Sequence, residues 1–376
     1  MKYYIIAGEA SGDLHAANLM KKLKKLDTQA EFRCWGGDLM KQEGGVLVKH
    51  YKDLAFMGFV EVLMNLRAIF KNIDLCKKDI IQYVPDVLIL VDYPGFNLRI
   101  AEFAKHKGFK VIYYISPQVW AWKENRVHKI KRVVDKMFVI LPFEQDFYKK
   151  FDYKVDFVGH PLLDVIENKN TDKSSFEHFV HENNLTSKPV IALLPGSRKQ
   201  EISKMLSIML SIKDHYPSHQ FVIAAAPSIN KAFYENYIHD KDVSMVANKT
   251  YNLLQHADAA LVTSGTATLE TALFEVPQVV CYSAGAISYH IARSLIKVKY
   301  ISLVNLVMDK EIVKELIQKD FNAALLKKEL DKLLYDTTYS NYLKNNYIKL
   351  KKELGGSGAS RKTAELIIKY LSESNL

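Results

Sequence analysis

The 376-residue sequence predicts an α/β protein of two doubly wound domains that face a cleft. Short apolar runs alternate with helix-length periodic segments along the chain, and a polar stretch at 167–188 interrupts this alternation. The length also suits two hydrophobic cores better than one. We therefore expect one domain over 1–170 and another over 188–350, with a last helix at about 358–376 crossing back to the first.

The predicted elements follow in order along the chain. Apolar runs predict the strands Tyr3–Ala7, Phe32–Trp35, Val87–Val91, Val111–Ile115, Lys136–Leu141, Val155–Val158, Val190–Leu194, Gln220–Ala224, Val243–Val246, Ala259–Val262 and Gln278–Cys281. Helical periodicity predicts Leu14–Leu26, Val60–Tyr83, Phe96–His106, Ile202–His215, Thr266–Phe274 and a helical region over Leu325–Leu371, interrupted by glycines at 355–358. Such repetition indicates parallel sheets, which bind ligands beyond the carboxyl ends of their strands. Residues that directly follow a strand are therefore the candidate site residues.

The composition narrows the classes of partner. A net charge of +10 indicates an acidic partner, such as nucleic acid, anionic lipid or a phosphorylated small molecule, although a lysine-rich composition alone gives the same value. Three scattered cysteines suggest neither a disulfide framework nor a zinc site and indicate a reducing cytoplasm. No apolar run is long enough for a signal peptide or a spanning helix, so we expect a protein that is soluble or lies on a membrane surface.

The strand Val190–Leu194 leads into a turn typical of diphosphate binding. Gly196 lets the backbone approach a ligand, Ser197 is predicted to cap the next helix, and Arg198 offers a fork of donors to phosphate oxygens. The alternative is an ordinary strand-to-helix turn with a solvated arginine.

A similar turn follows the strand Ala259–Val262. A predicted helix N-terminus, where a phosphate binds favourably, contains Ser264, Gly265 and Thr266. The alternative for Thr266 is that it caps the helix and binds no ligand. Glu270 comes one helical turn later and can accept two hydroxyls of a ribose.

The first strand leads into a loop that can accept an anion or a hydroxyl. Gly8, Ser11, Gly12 and Asp13 are its predicted substrate-binding residues, with a purely structural turn as the alternative. The loop lacks the G-x-G-x-x-G spacing, and the second strand ends at Gly36 rather than at an acid. A dinucleotide cofactor is therefore disfavoured.

Asp92 follows the strand Val87–Val91 and precedes a Pro-Gly turn. A carboxylate there can take a proton from a substrate hydroxyl, whereas the plain alternative is that it caps the next helix. No group of His, Asp or Glu has metal-ligand spacing, so the chemistry is predicted to need no metal.

Other candidates follow further strands. Gln118, Trp120 and Trp122 precede a cationic helix and could hold a flat or apolar group beside a phosphate; a solvated helix face accounts for the cations but poorly for two tryptophans in an exposed loop. His160 is either a hydrogen-bonding group in the cleft or a structural histidine. Asn305 is placed after a probable strand, as a buried amide that a ligand could satisfy.

Five segments, in this order, resemble the lipid-A-disaccharide synthase family: Gly8-Glu9-Ala10-Ser11-Gly12-Asp13, Ser116-Pro117-Gln118-Val119-Trp120-Ala121-Trp122, Gly159-His160-Pro161, Leu194-Pro195-Gly196-Ser197-Arg198 and Ser264-Gly265-Thr266-Ala267-Thr268-Leu269-Glu270. The resemblance covers nearly the whole chain. It implies two Rossmann-like domains of the GT-B type and an inverting, metal-independent transferase without a cofactor. The implied reaction joins UDP-2,3-diacylglucosamine to 2,3-diacylglucosamine 1-phosphate through a β-1,6 bond and releases UDP.

The resemblance also implies work at the inner face of the inner membrane, with a phosphorylated glycolipid rather than nucleic acid as partner, and dimers in some members. Arg198, Ser197 and the 264–266 turn would neutralise the departing UDP, since charge develops on its diphosphate. The apolar segment 56–71, with cations at its end, could lie in an anionic leaflet or form a buried core helix.

The sequence departs from the family in one place. Many members carry an aspartate where this chain has Gly95, so the base is either Asp92 or a neighbour such as Glu9, Asp13 or His15.

Three other functions compete with this interpretation: a UDP-N-acetylglucosamine 2-epimerase or soluble UDP-sugar transferase, a dinucleotide-dependent oxidoreductase, and a non-enzymatic binder of anionic lipid or nucleic acid. The first class also binds a diphosphate, but it explains neither the two tryptophans nor the apolar segment 56–71. The second class needs the G-x-G-x-x-G motif, which is missing.

Overall fold

A computed structural model describes residues 1–54, 66–169, 175–227, 229–238, 243–285 and 298–373. Contacts divide the chain into two compact units, 1–164 with 354–376 (unit 1) and 165–353 (unit 2). Each unit has a wholly parallel sheet with flanking helices, so the predicted α/β class is confirmed. Within the described residues, no helix is long and apolar enough to span a bilayer.

Unit 1 is built on a seven-stranded sheet of order β3-β2-β1-β4-β5-β6-β7. Its strands are β1 (Lys2–Ala7), β2 (Glu31–Gly36), β3 (Val46–His50), β4 (Val87–Val91), β5 (Lys110–Tyr114), β6 (Lys136–Val139) and β7 (Asp156–Phe157). Its helices are α1 (Ala10–Leu26), α2 (Asp38–Gln42), α3 (Leu66–Tyr83), α4 (Pro94–His106), α5 (Val119–Trp122), α6 (Arg126–Val133) and α7 (Phe143–Lys149), while α8 (Leu162–Lys169) crosses the boundary between the units. Residues 60–65 of the predicted helix Val60–Tyr83 lie outside the described residues.

The last helix, α17 (Ala359–Glu373), belongs to unit 1 and packs against α1. Ala364, Ile367 and Leu371 recur at helical spacing, so one face of the helix enters the core around β1. The carboxylate of Asp164 accepts the backbone N–H groups of Gly358 at 2.6 Å and Ser360 at 2.9 Å. These bonds satisfy donors at the start of α17 that have no partner within the helix.

Unit 2 is built on a six-stranded sheet of order β10-β9-β8-β11-β12-β13. Its strands are β8 (Val190–Leu194), β9 (Gln220–Ala225), β10 (Val243–Ala247), β11 (Ala257–Thr263), β12 (Gln278–Tyr282) and β13 (Lys314–Ile317). Its helices are α9 (Phe176–Glu182), α10 (Lys199–Leu210), α11 (Lys231–Glu235), α12 (Thr250–Gln255), α13 (Thr266–Leu273), α14 (Leu303–Met308), α15 (Ala323–Tyr335) and α16 (Thr337–Glu353).

Two strands were not predicted, and both lie at a sheet edge. β3 and β13 each have one neighbouring strand, so their sequences mix apolar residues with lysine, histidine and glutamate. The polar stretch 167–188 contains α9. Ser175 caps that helix by accepting the His178 backbone N–H at 3.2 Å, and Phe179 enters the core of unit 2. Its polar residues therefore include the cap of a surface helix.

Candidate active site

Both sheets have a point where the strand order reverses, and candidate residues flank each one. In unit 1 the reversal lies between β1 and β4, which lead into Gly8 and Asp92. In unit 2 it lies between β8 and β11, which lead into Pro195 and Ser264. Ligands of open parallel sheets bind at such points, because the loops diverge there and leave a crevice.

Asp92 and Glu9 come together at the reversal in unit 1. Burial raises the pKa of the half-buried Asp92 carboxyl to about 6, the nearby charge of Glu9 adds to the rise, and the Tyr93 backbone amide opposes it. Glu9 is the residue before α1, and its side chain makes no capping hydrogen bond. A carboxylate with a pKa near 6 is ionised at neutral pH, yet accepts a proton more readily than an ordinary aspartate.

The backbone around Asp92 is held in an unusual conformation. Asp92 and Tyr93 have φ angles of +44° and +48°, which are uncommon for residues with a side chain. The Asp92 carbonyl accepts the Tyr113 hydroxyl at 2.5 Å and the Asn97 side-chain amide at 2.7 Å. The residue before α4 is Tyr93, with no side-chain cap, so the alternative role of Asp92 as a helix cap is wrong.

Tyr93 also explains the first glycine of the loop. A Cβ atom on Gly8 would overlap the Tyr93 ring, so glycine is required there by the protein's own packing. Gly12 is buried and would place a Cβ 3.2 Å from that of Ala7, whereas Ser11 is exposed. In this loop the two glycines therefore serve packing, and Ser11 remains accessible.

Asp13 has a structural role. Its buried carboxylate accepts the backbone N–H groups of Gly37 at 2.7 Å and of Leu39 and Met40 at 3.2 Å. These bonds cap the start of α2. The prediction that Asp13 binds substrate or serves as base is therefore not supported, because the turn after β2 occupies its carboxylate.

The two candidate histidines lie near each other. Burial lowers the pKa of His15 to about 4, against the opposing charge of Asp164, and its Nδ1 is buried without a hydrogen-bond partner. Burial, and next His15, lowers the pKa of His160 to about 3. His160 Nδ1 accepts the Leu162 backbone N–H at 3.2 Å, as the structural alternative expects. His15 is thus a weaker proton acceptor than Asp92.

The two tryptophans after β5 differ in exposure. Trp120 is 8% exposed and packs edge-on against Phe143 with ring centroids 4.9 Å apart, which corrects the prediction that both tryptophans lie in an exposed loop. Trp122 is 48% exposed, and Gln118 is exposed as well. Direct substrate contact in this segment is therefore open to Trp122 and Gln118 more than to Trp120.

In unit 2, Arg198 is exposed and forms no salt bridge with a described residue. It is the residue before α10, without a side-chain cap, so the prediction that Ser197 caps this helix is wrong. Gly196 has a φ of +115°, and Glu201 folds back over it to accept the Ser197 backbone N–H at 3.2 Å. A phosphate that binds Ser197 N–H must displace the Glu201 carboxylate.

The turn after β11 combines fixed and accessible groups. Ser264 donates its hydroxyl to the Ile301 carbonyl at 2.8 Å, whereas Gly265 and Thr266 are exposed at the start of α13. Gly265, rather than Thr266, is the residue that precedes this helix. Burial raises the pKa of Glu270, and the Tyr251 hydroxyl donates to Glu270 Oε1 at 3.1 Å. This bond holds the carboxylate in one orientation.

Asn305 is not available to a ligand. It lies in α14, not after a strand, and is fully buried. Its Oδ1 accepts the backbone N–H groups of Ile312 and Val313, and its Nδ2 donates to the Val313 carbonyl and to Glu315. The amide is buried, as predicted, but it lies in a helix that Ser302 caps rather than after a strand, and the protein's own hydrogen bonds satisfy it instead of a ligand.

Sequence reasoning missed Tyr93, Tyr113 and Tyr251 as parts of these sites. Each contacts a predicted residue from a different part of the chain, so local spacing carried no signal for it. Across the described ranges, no three His, Cys, Asp or Glu side chains are grouped so that they could hold a metal ion.

The chain has a fold that an epimerase and a glycosyltransferase share. Two solved structures show this: the UDP-GlcNAc 2-epimerase from Neisseria meningitidis bound to UDP-GlcNAc has a TM-score of 0.71 and 14% identity over 98% of this chain and 100% of its own. The calicheamicin glycosyltransferase CalG4 has a TM-score of 0.60 and 15% identity over 99% and 98%.

The particular family follows from sequence. The family model described as lipid-A-disaccharide synthetase matches residues 3–369. The lipid-A-disaccharide synthase of Geobacter metallireducens is 37% identical over 98% of this chain and 97% of its own length, and lipid-A-disaccharide synthase 1 of Legionella pneumophila (strain Philadelphia 1) is 38% identical over 99% and 98%. The chain belongs to the lipid-A-disaccharide synthase family and is a glycosyltransferase of lipid A disaccharide synthesis.

Proposed function

We propose that the chain transfers 2,3-diacylglucosamine from its UDP-activated form to the 6-hydroxyl of 2,3-diacylglucosamine 1-phosphate. The bond from the acceptor O6 to the donor C1 forms, the bond from C1 to the diphosphate breaks, and the O6 proton moves to Asp92. Attack from the face opposite the diphosphate gives a β-1,6 linkage and free UDP. The observation that carries this assignment is the half-buried Asp92 beside Glu9 at the strand reversal of unit 1.

Unit 2 has the complementary features for the leaving group. Arg198 has no carboxylate partner among the described residues, and two exposed loop-to-helix turns flank the same strand reversal. Negative charge grows on the diphosphate as the C1–O bond breaks, so a cation and backbone N–H groups stabilise the transition state more than the bound donor. Glu270, oriented by Tyr251, is proposed to hold the ribose.

We further propose that no metal or cofactor takes part. The test is an assay of UDP release and disaccharide formation from both substrates in the presence of EDTA. Activity that survives the chelator and gives a β-linked product supports the proposal. Loss of activity restored by Mg²⁺ contradicts metal independence, and an α-linked product contradicts inversion. Epimerisation of UDP-N-acetylglucosamine without transfer would indicate the alternative activity.

We also propose that the protein works at the anionic inner face of the inner membrane. Helix α3 exposes Phe70, Leu75 and Ile81, and Lys77 and Lys78 belong to the same helix. Apolar side chains among lysines favour an anionic interface. Of the predicted membrane segment 56–71, residues 56–65 lie outside the described part of the chain.

Flotation with vesicles tests this placement. Binding to phosphatidylglycerol vesicles that weakens with salt is expected, with little binding to phosphatidylcholine. Equal flotation with both lipids would contradict an electrostatic contribution. A homodimer is proposed as well, and sedimentation equilibrium measures it.

A further inference from the structure

Two cations lie beside the exposed tryptophan that follows β5. Lys123 Nζ is 4.1 Å and Arg126 Cζ is 5.8 Å from the ring centroid of Trp122. Neither cation forms a salt bridge with a carboxylate in the described part of the chain. Like charges side by side repel one another, and Lys123 has a lowered pKa through burial and the charge of Arg126. An anion bound between them would relieve this repulsion.

The cation pair lies on the Asp92 side of the sheet in unit 1. β4 and β5 are neighbours, with Val91 opposite Tyr114, so the loops after them leave the same sheet edge. Tyr113 connects the two groups: its hydroxyl donates to the Asp92 carbonyl, and its pKa is raised mainly by burial, with Asp92 adding to the rise and Arg126 opposing it. Arg126 and Asp92 therefore both act on one phenol. The cation pair and the proposed base thus follow neighbouring strands at the same edge of the sheet.

The phosphorylated acceptor of the proposed reaction has an anionic group that suits the two cations and a hydroxyl that suits Asp92. A glucosamine 1-phosphate carries its charge on C1 and its free hydroxyl on C6, at the other end of the sugar ring. Arginine and lysine bind a phosphate monoester through charge-assisted hydrogen bonds, and an aromatic face packs against a sugar ring or an acyl chain.

We propose that Lys123 and Arg126, with Trp122, form a subsite for the phosphate of the phosphorylated acceptor, which directs the 6-hydroxyl to Asp92. The subsite rests on the proposed function. Its chemistry is recognition of a sugar phosphate monoester, and a phospholipid headgroup is the other source of phosphate that the test must separate.

The test compares two acceptors, 2,3-diacylglucosamine 1-phosphate and the same glycolipid without phosphate, at saturating donor. For the phosphorylated acceptor, the double variant Lys123→Ala, Arg126→Ala is expected to raise KM by about 10- to 100-fold, the effect of two charge-assisted contacts. KM for the donor and for the acceptor without phosphate is expected to stay unchanged. The matched control, Lys131→Ala with Arg132→Ala, removes the same charge from exposed positions of α6 and is expected to leave both KM values unchanged.

Several results would overturn the subsite. Wild-type protein that uses both acceptors equally well would do so, as would a double variant whose KM rises equally for both. Loss of phosphatidylglycerol-vesicle binding in the double variant, with its acceptor preference intact, would assign the cations to the membrane instead.

A binding measurement separates failure of the subsite from failure of the proposed function. If wild-type protein transfers sugar to neither acceptor, the proposed function fails, and the subsite is tested by intrinsic tryptophan fluorescence, with Trp122→Phe separating the signal of Trp122 from those of Trp35 and Trp120. Glucosamine 1-phosphate is expected to give a saturable change that glucosamine does not give, absent from the double variant and present in the control. No difference between the two sugars would overturn the subsite.

Discussion

The two strand reversals have the same topology and opposite chemical content. In unit 1 the flanking loops carry the half-buried acids Glu9 and Asp92. In unit 2 they carry exposed glycine turns and Arg198. Burial with a like charge suits a group that must gain a proton, whereas an exposed cation suits a group that must bind an anion. The same topology thus provides an acidic environment in unit 1 and an anion-binding one in unit 2, as the proposed transfer requires.

The largest effect is expected from removing the acid at the strand reversal of unit 1. Asp92→Asn removes the proposed proton acceptor and is expected to lower kcat by about 10³-fold with little change in UDP affinity. Steady-state kinetics and calorimetric titration of UDP measure the two quantities. An unchanged kcat would move the base to Glu9 or His15.

Removing the cation at the strand reversal of unit 2 is expected to lower kcat/KM by about 10²- to 10³-fold. Arg198→Ala removes the guanidinium that is proposed to bind the diphosphate, so UDP affinity is expected to fall together with the rate. Lys204→Ala, an exposed cation of the same helix, serves as the control. Wild-type kinetics in Arg198→Ala would refute the role of Arg198.

A substitution of Asn305 tests whether this residue stabilises the fold or binds a ligand. Asn305→Ala removes the partner of three buried backbone groups, the N–H groups of Ile312 and Val313 and the Val313 carbonyl, and is expected to lower the free energy of unfolding by about 3 kcal/mol. Urea denaturation measures this loss, with the exposed Asn236→Ala as control. A specific rise in KM for the donor at unchanged stability would restore the ligand role.

The pH dependence of kcat tests whether Glu9 acts on Asp92. Asp92 must be ionised to accept a proton, so kcat is expected to fall as pH drops through about 6, its raised pKa. Glu9→Gln removes the nearby charge, which lowers that pKa and moves the acidic limb to lower pH. Because burial is the larger cause, the limb shifts only partly toward the usual aspartate range. A limb that does not move would separate Glu9 from Asp92.

The smallest effect concerns the proposed ribose contact. Tyr251→Phe removes the hydroxyl that orients Glu270 and is expected to raise KM for the donor by about 3- to 10-fold at unchanged kcat. Tyr342→Phe, on the surface of α16, is the control. A change in kcat alone would contradict a role for Tyr251 in binding.

Much of the fold was predictable because central strands have a strong local signal. The runs Val87–Val91 and Val190–Leu194 are buried on both faces and wholly apolar, so their bounds agree with the structure. The edge strands β3 and β13 were missed, since half-covered strands tolerate polar residues. The strand predicted before Asn305 was wrong because a short apolar run fits a strand and a buried helix equally well.

By itself, the sequence determined the alternation of strands and helices, the position of Asp92 and Arg198 after strands, and the motifs shared with the family. Only the tertiary structure decided which polar groups are free to act. Asp13 accepts hydrogen bonds from backbone groups at least 24 residues away and Asn305 from groups at least 7 residues away, and Trp120 is buried against a later helix. The reason is that tertiary packing brings distant groups together as hydrogen-bond partners. The local spacing of residues in the sequence does not predict these contacts.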